Sequence, residues 1–213
     1  MRPAAFAPWV ALLLFVVSRV SPAIEEPDYK ILRQVGEIEL RHYALYVVAE
    51  VVLTGSAKDT GNQGFRILAG YIFGKNKGEQ RLAMTAPVVQ AAAPVKLDMT
   101  APVTQSRRAG AYVVQFVLPK GTTLATAPQA LDPRIVLREE PARQVAVIRY
   151  SGFWSDDNYN AHLAKLRQTL ESAGLAWIGE PVYSRYNPPF TPWFLRRNEI
   201  WLQLAEASAT ADH

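Results

Sequence analysis

The sequence predicts an α+β fold: a distorted antiparallel β-barrel built from two pseudo-symmetric halves and flanked by two α-helices. Three observations lead there. Strand-like runs rich in Val, Ile, Tyr and Trp, punctuated by Gly, Pro and Asn, alternate with just two helical runs. Most connections between the strand runs are too short for a parallel crossover, which makes the sheet antiparallel. The chain also matches itself when slid by 97 residues: Ile38-Glu39-Leu40-Arg41 falls on Ile135-Val136-Leu137-Arg138 (135 − 38 = 97), Val48-Ala49 on Val145-Ala146, and Gly55 on Gly152. A helical run follows each of these glycines. Matched halves of this kind pack about a pseudo-twofold axis, because neither half covers its own sheet alone.

In chain order, strands are expected over 29–35, 37–52, the two Met-Thr-Ala-Pro-Val stretches at 84–88 and 99–103, 111–119, 134–140, 144–152, 181–187 and 199–204. The first helix is expected from about Asn62 to Gly74, with Phe65, Leu68, Ala69 and Ile72 on one face. The second opens with Ser155 as N-cap and Asp156 and Asp157 complementing the helix dipole. Its apolar stripe is Tyr159, Leu163, Leu166 and Leu170, and Gly174 stops it. The two pentapeptide copies flank Ala91-Ala92-Ala93-Pro94 and read as adjacent antiparallel strands joined by a short loop. Proline lacks a backbone donor, so Pro87 and Pro102 are expected at strand ends, bulges or an edge.

Composition narrows the function. A chain of 213 residues, 49% hydrophobic and 20% charged, is a folded protein rather than a disordered one. It has no cysteine, which excludes disulfides, thiolate metal sites, a cysteine nucleophile and covalent attachment of a group through Cys-x-x-Cys-His. Residues 1–23 have the pattern of a secretory signal: Arg2, an apolar run from Ala4 to Val17, then Ser21 and Ala23 as small residues before a cleavage point. The apolar run falls short of the roughly 20 residues needed to span a bilayer. Cleavage near Ala23, export to the periplasm or medium, and a mature chain without a stable membrane span are therefore expected. The remaining chain divides into one domain over 24–205 and a tail over 206–213. Without Arg2 and Arg19 it carries 23 − 2 = 21 basic against 19 acidic residues, a net charge of +2 with no clustered basic stripe. Nucleic acid is not an expected partner.

Three stretches carry a resemblance: RLAMTAPV (81–88), GFRILAGYIFGKN (64–76) and YNPPFTPWFLRRNEIW (186–201). From about Tyr29 to Leu204 the chain resembles the SOUL/haem-binding protein family. The resemblance implies the same barrel with two helices. It also implies noncovalent, reversible binding of haem or another tetrapyrrole in a hydrophobic cleft beside the first helix, by a carrier or buffer that does no catalysis. A haem site needs apolar walls, cations for the propionates and, optionally, an axial ligand. The first helix offers Ile67, Leu68 and Tyr71 as wall, with Arg66 and Lys75 as cations. Phe190, Trp193 and Phe194 are the candidate opposite wall, followed by Arg197. His42, on the same strand face as Leu40, is the candidate axial ligand to iron, the alternative being a cleft that holds haem unaided. Met84 and Met99 read as packing residues because both sit in the same structural word.

Two other classes stay open. The two-half architecture also resembles GyrI-like effector-binding modules for cationic or amphipathic small molecules, some of them hydrolases. There Glu199 would face the pocket as a buried carboxylate or general base, unless an arginine ties it down. The third class is a non-enzymatic interaction scaffold. Neither Ser-His-Asp nor metal-ligand spacing is visible, so an enzyme is not expected.

Overall fold

The computed structural model describes residues 25–92, 111–187 and 190–205. It contains β1 (Tyr29–Val35), β2 (Ile38–Tyr43), β3 (Tyr46–Thr54), α1 (Ala57–Ile72), β4 (Val88–Ala92), β5 (Ala111–Val117), β6 (Val136–Glu140), β7 (Arg143–Tyr150), α2 (Asp156–Ser172), β8 (Trp177–Arg185) and β9 (Asn198–Leu204). All strand pairings are antiparallel, in the order β1-β2-β7-β9-β8-β4-β5-β3-β6. Without β1 this order reads the same from either end: β2-β7-β9-β8 on one side, β6-β3-β5-β4 on the other. The halves meet where β4 pairs with β8, and the first strand of each half is exchanged onto the sheet of the other. The offset seen in the sequence is retained, since β3 begins at Tyr46 and β7 at Arg143 (143 − 46 = 97). The sheet curls, but among the described residues no pairing joins the edge strands β1 and β6 into a closed barrel.

The long run expected over 37–52 breaks at Ala44-Leu45 into β2 and β3. That break lets β2 cross to β7 while β3 stays with β5 and β6. The second helix is as expected, with Ser155 accepting from the Asn158 amide and Gly174 at a positive φ of 66°. The first helix starts earlier than expected, at Ala57, because Ser56 caps it by accepting from the Asp59 amide. Gly61 and Gly64 hide that first turn from propensity reasoning, yet they are what lets α1 lie against the sheet. A Cβ at Gly64 would come within 2.7 Å of the Val114 side chain.

The first pentapeptide copy leads into β4 and is not a strand itself. It carries a cis Ala86-Pro87 bond at the strand entrance, in line with the place expected for Pro87. The Thr85 hydroxyl donates to the Val117 carbonyl, and the Ala86 amide to Glu25. The second copy, and with it the expected hairpin between copies, lies outside the described residues.

Strand alternation divides the core. Val47, Ala49, Val51, Val114 and Phe116 face α1, which covers them with Leu68, Tyr71 and Ile72. Leu40, Ala146, Ile148, Ile200 and Leu202 face α2, covered by Leu163, Leu166 and Leu170. The other face of the second sheet holds Tyr43, Val145, Val147, Trp201 and Tyr186 around an ion-pair network. Arg41 on β2 and Glu199 on β9 have side chains 2% and 0% exposed and lie 3.0 Å apart. Glu199 also accepts from Tyr186 Oη at 2.7 Å, Trp201 Nε1 at 2.9 Å and Arg197 Nη2 at 2.8 Å. Burial alone would push the Glu199 carboxyl up; the charges of Arg41 and Arg197 and the bonds from Arg41 and Tyr186 outweigh it and hold the carboxyl below its ordinary 4.5.

Two predictions concern stability. Gly64→Ala forces a Cβ onto the branched Val114 and should cost about 1–3 kcal/mol in chemical denaturation. Gly70→Ala on the same helix meets only the flexible Lys75 chain at 3.2 Å, and should be neutral or gain up to about 1 kcal/mol. The lowered Glu199 carboxyl contributes stability that is complete above its ordinary 4.5 and is lost as pH falls through its folded value. Glu199→Gln leaves Arg41 with only the partly exposed Glu39, 2.7 Å away, as an anionic partner, so it should lose up to about 3 kcal/mol at neutral pH and show a shallower acid dependence than the parent. Parallel urea titrations at pH 7 and pH 4 check both points.

Candidate functional site

Three depressions border α1. The first lies where the two halves meet. Gly61, Asn62, Phe65 and Arg66 on α1 form one wall, and Trp154, Tyr183, Arg185 and Tyr186 the other. Val88, Gln90 and Val114 make the floor, and Met84 to Ala86 close one end. Its volume is about 450 Å³, within the range that buries a small-molecule ligand. The lining contains two arginines, Arg66 and Arg185, and no carboxylate among the described residues.

Both walls are positioned by the fold. The missing side chains at Gly61 and Gly64 seat α1 on the sheet and leave Asn62 and Arg66 exposed on its outer side. Phe65 is fixed edge-on against Phe116 at 5.4 Å. On the far wall Trp154 Nε1 donates to Asn198 Oδ1 at 2.8 Å, which orients the indole from β9. The guanidinium of Arg185 sits 4.7 Å from the Trp154 ring centroid and 4.8 Å from that of Tyr183. Tyr186 is tied to Glu199, and its hydroxyl is pushed well above its ordinary value by burial and by the Glu199 charge.

Across Asn62, Gln90, Trp154, Tyr183 and Arg185 the cleft continues into a second lobe of about 970 Å³ at the N-terminal ends of α1 and α2. Lys58, Asp156 and Glu180 line this lobe beside Tyr112 and Tyr159, so its charge is mixed. The third depression, about 1070 Å³, is separate and open. It lies at the C-terminal end of α1 between Arg66, Ile67, Tyr71 and Lys75 on one side and Leu131 to Ile135 on the other. There Arg134 is already paired with Asp132 at 2.6 Å.

The residues expected from sequence to form one site are therefore distributed. Ile67, Tyr71 and Lys75 line the open depression, and only Arg66 also reaches the central cleft. Leu68 is 0% exposed and packs onto β3 and β5; it is core, not cleft wall, because it lies on the sheet-facing side of α1. Phe190, Trp193 and Phe194 lie on the outer surface, with Trp193 stacked on Phe153 at 5.3 Å. None of them lines the three depressions, although Arg196, which follows them, sits 4.3 Å over the Trp154 ring. Arg197 is consumed by Glu199 and Glu26. Glu199 faces the Arg41 network and not a cavity, as expected if an arginine ties it down.

His42 follows Leu40 onto the α2 side of β2, opposite Lys30 and Gln144, and lines none of the three depressions. Its neighbours Arg41, which donates to Glu199, and Tyr43, whose hydroxyl accepts from Arg41, occupy the opposite face, so alternation leaves His42 no other side. His162 stacks on Tyr150 and bonds the Asn158 carbonyl, a boundary role. Met84 is half-exposed on the cleft wall and is not a buried gap-filler. Trp154, Tyr183 and Arg185 were missed by sequence reasoning. No local signal marks them: the 97-residue offset carries β4 (88–92) to 185–189, past nearly all of β8, and only the observed pairing of β4 with β8 brings the end of β8 to the cleft.

The comparisons agree with this geometry. A family model described as SOUL heme-binding protein matches residues 24–203. "Heme-binding protein 2" of mouse and of human are each 27% identical over 186 residues, covering 84% of this chain and 86% of theirs. "Heme-binding protein 1" of mouse is 33% identical over 76 residues, 35% of this chain and 40% of its own. Among solved structures, an uncharacterized conserved protein from Listeria innocua superposes with a TM-score of 0.59 at 13% identity, covering 79% of this chain and 92% of that one. The EcmrR C-terminal domain gives 0.55 at 14%, covering 84% and 99%, and a hydrolase from Listeria innocua 0.53 at 12%, covering 79% and 92%. At such identities these structures share the fold alone. The match to the family model spans nearly all of the described chain, and the chain belongs to the SOUL heme-binding protein family.

Proposed function

We propose that the protein binds haem or a related tetrapyrrole noncovalently and reversibly in the central cleft, as a carrier or buffer without a reaction of its own. The single observation that carries this reading is the lining: aromatic and apolar walls, two arginines and no carboxylate among the described residues. A tetrapyrrole is a flat apolar ring with acidic side chains, and this is the donor set it requires. Phe65, Val88, Trp154 and Tyr183 would meet the ring, and Arg66 and Arg185 its carboxylates. The bound group would supply the chromophore and, when metallated, the iron; the chain contributes shape, charge and exclusion of water.

The cationic-ligand reading is the weaker one. It needs an acidic residue in the central cleft: Glu199 is held by Arg41, Arg197, Tyr186 and Trp201, and Asp156 and Glu180 lie in the second lobe beside Lys58, outside the central lining. Export fits the same picture of a carrier outside the cytoplasm, and rests on the charge, apolar run and small residues of 1–23. No helix among the described residues is long and apolar enough to cross a membrane.

The test is an absorbance titration with haem. Asn62→Trp fills the central cleft from an exposed helical position and should weaken binding by about tenfold or more with an unchanged melting temperature. Leu131→Asp, in the open depression, should leave affinity within about twofold. The reverse pattern would move the site to the C-terminal end of α1, and no saturable binding by the parent protein would end the tetrapyrrole reading.

A further inference from the structure

Arg185 stands apart from the other inward-facing arginines of the second half. Arg41 and Arg197 are matched to Glu199. The Arg185 Nε is buried and has no hydrogen-bond partner, and no ion pair engages its guanidinium among the described residues. Its two close neighbours, the rings of Trp154 and Tyr183, engage it through their π faces and accept none of its N–H donors in the plane. A buried donor left without an acceptor is costly, and an arginine fork so placed is completed by a planar acceptor such as a carboxylate.

The position of Arg185 gives the consequence. It ends β8, opposite Val88 of the cleft floor on one side and Asn198, which orients Trp154, on the other. It lines both lobes and so stands at the waist between them. Arg66 is the other cation of the central cleft, but it is exposed on α1 at the rim shared with the open depression. The two arginines thus mark an inner and an outer end.

We propose that Arg185 is the anion anchor of the cleft, and that it orients a carboxylate-bearing planar ligand with its acidic edge inward, at the waist, rather than outward to solvent at Arg66. This rests on the tetrapyrrole reading and deepens it: the cleft selects the free diacid over its neutral ester, and the wider second lobe leaves room for water or a second carboxylate beside Arg185. Asp156 and Glu180 line that lobe and set a limit on how much negative charge it takes.

The test uses the full chain with protoporphyrin IX and its dimethyl ester as probes, read by porphyrin fluorescence. The parent protein should bind the diacid about tenfold more tightly than the ester. Arg185→Gln should weaken the diacid by about tenfold and abolish the discrimination, Arg185→Lys should recover only part of it, and Arg66→Gln should change it by less than about threefold. Equal binding of diacid and ester by the parent would overturn the anchor while leaving the tetrapyrrole site standing; that comparison does not depend on any variant folding. Loss of discrimination in Arg66→Gln but not in Arg185→Gln would put the acidic edge at the rim and overturn the inward orientation. Failure of the parent to bind either porphyrin would remove the site and the anchor together.

Discussion

The interaction on which the rest depends is the buried pairing of Arg41 with Glu199. Arg41 belongs to β2, a strand from the first half lent to the second sheet; Glu199 is on β9, two strands away. A carboxylate that is 0% exposed is costly unless every lone pair is used, and here two arginines, a tyrosine and a tryptophan use them. The pairing therefore favours the exchange of β2, since β2 in any other place would take away one of the two arginines that neutralise Glu199. It also reaches the ligand cleft. Tyr186 is held by Glu199, and the Arg197 amide donates to Asn187, so both cleft-wall residues at the end of β8 are anchored from behind. The charged groups Arg41, Arg197 and Glu199 line no depression and support the cleft wall from behind.

Duplication made much of the fold legible in advance. The 97-residue offset between β3 and β7, the strand-like runs at 144–152 and 199–204, and the Ser155 cap with its trailing apolar stripe all correspond to observed elements. What stayed hidden has physical reasons. Gly61 and Gly64 read as helix-weakening residues, whereas they are sites of close approach to β4 and β5. The exchange of β2 depends on a two-residue break at Ala44-Leu45 that no local signal marks, whereas the matching break after β6, at Pro141-Ala142, is marked by its proline.

The candidate site was less legible because its two walls are remote in sequence. Arg66 was found from α1 itself. Its partner Arg185 becomes visible only when β8 pairs with β4 across the pseudo-twofold axis. His42 does share the face of Leu40, but that face is the one covered by α2, and His42 lines none of the three depressions. The curled sheet with two helices creates a cleft where the halves meet, and the charges set in that cleft decide what it accepts. In this chain the buried acid is neutralised and two arginines line the central cleft.

The most direct measurement is a map of backbone amide chemical-shift changes on titrating the isotopically labelled protein with protoporphyrin IX. The account predicts the largest saturable changes at Gly61–Arg66, Val88, Trp154 and Tyr183–Asn187, with His42 and Leu131–Ile135 unmoved. Changes centred on His42, or on Tyr71–Lys75 and Leu131–Ile135, with the central cleft silent, would contradict it.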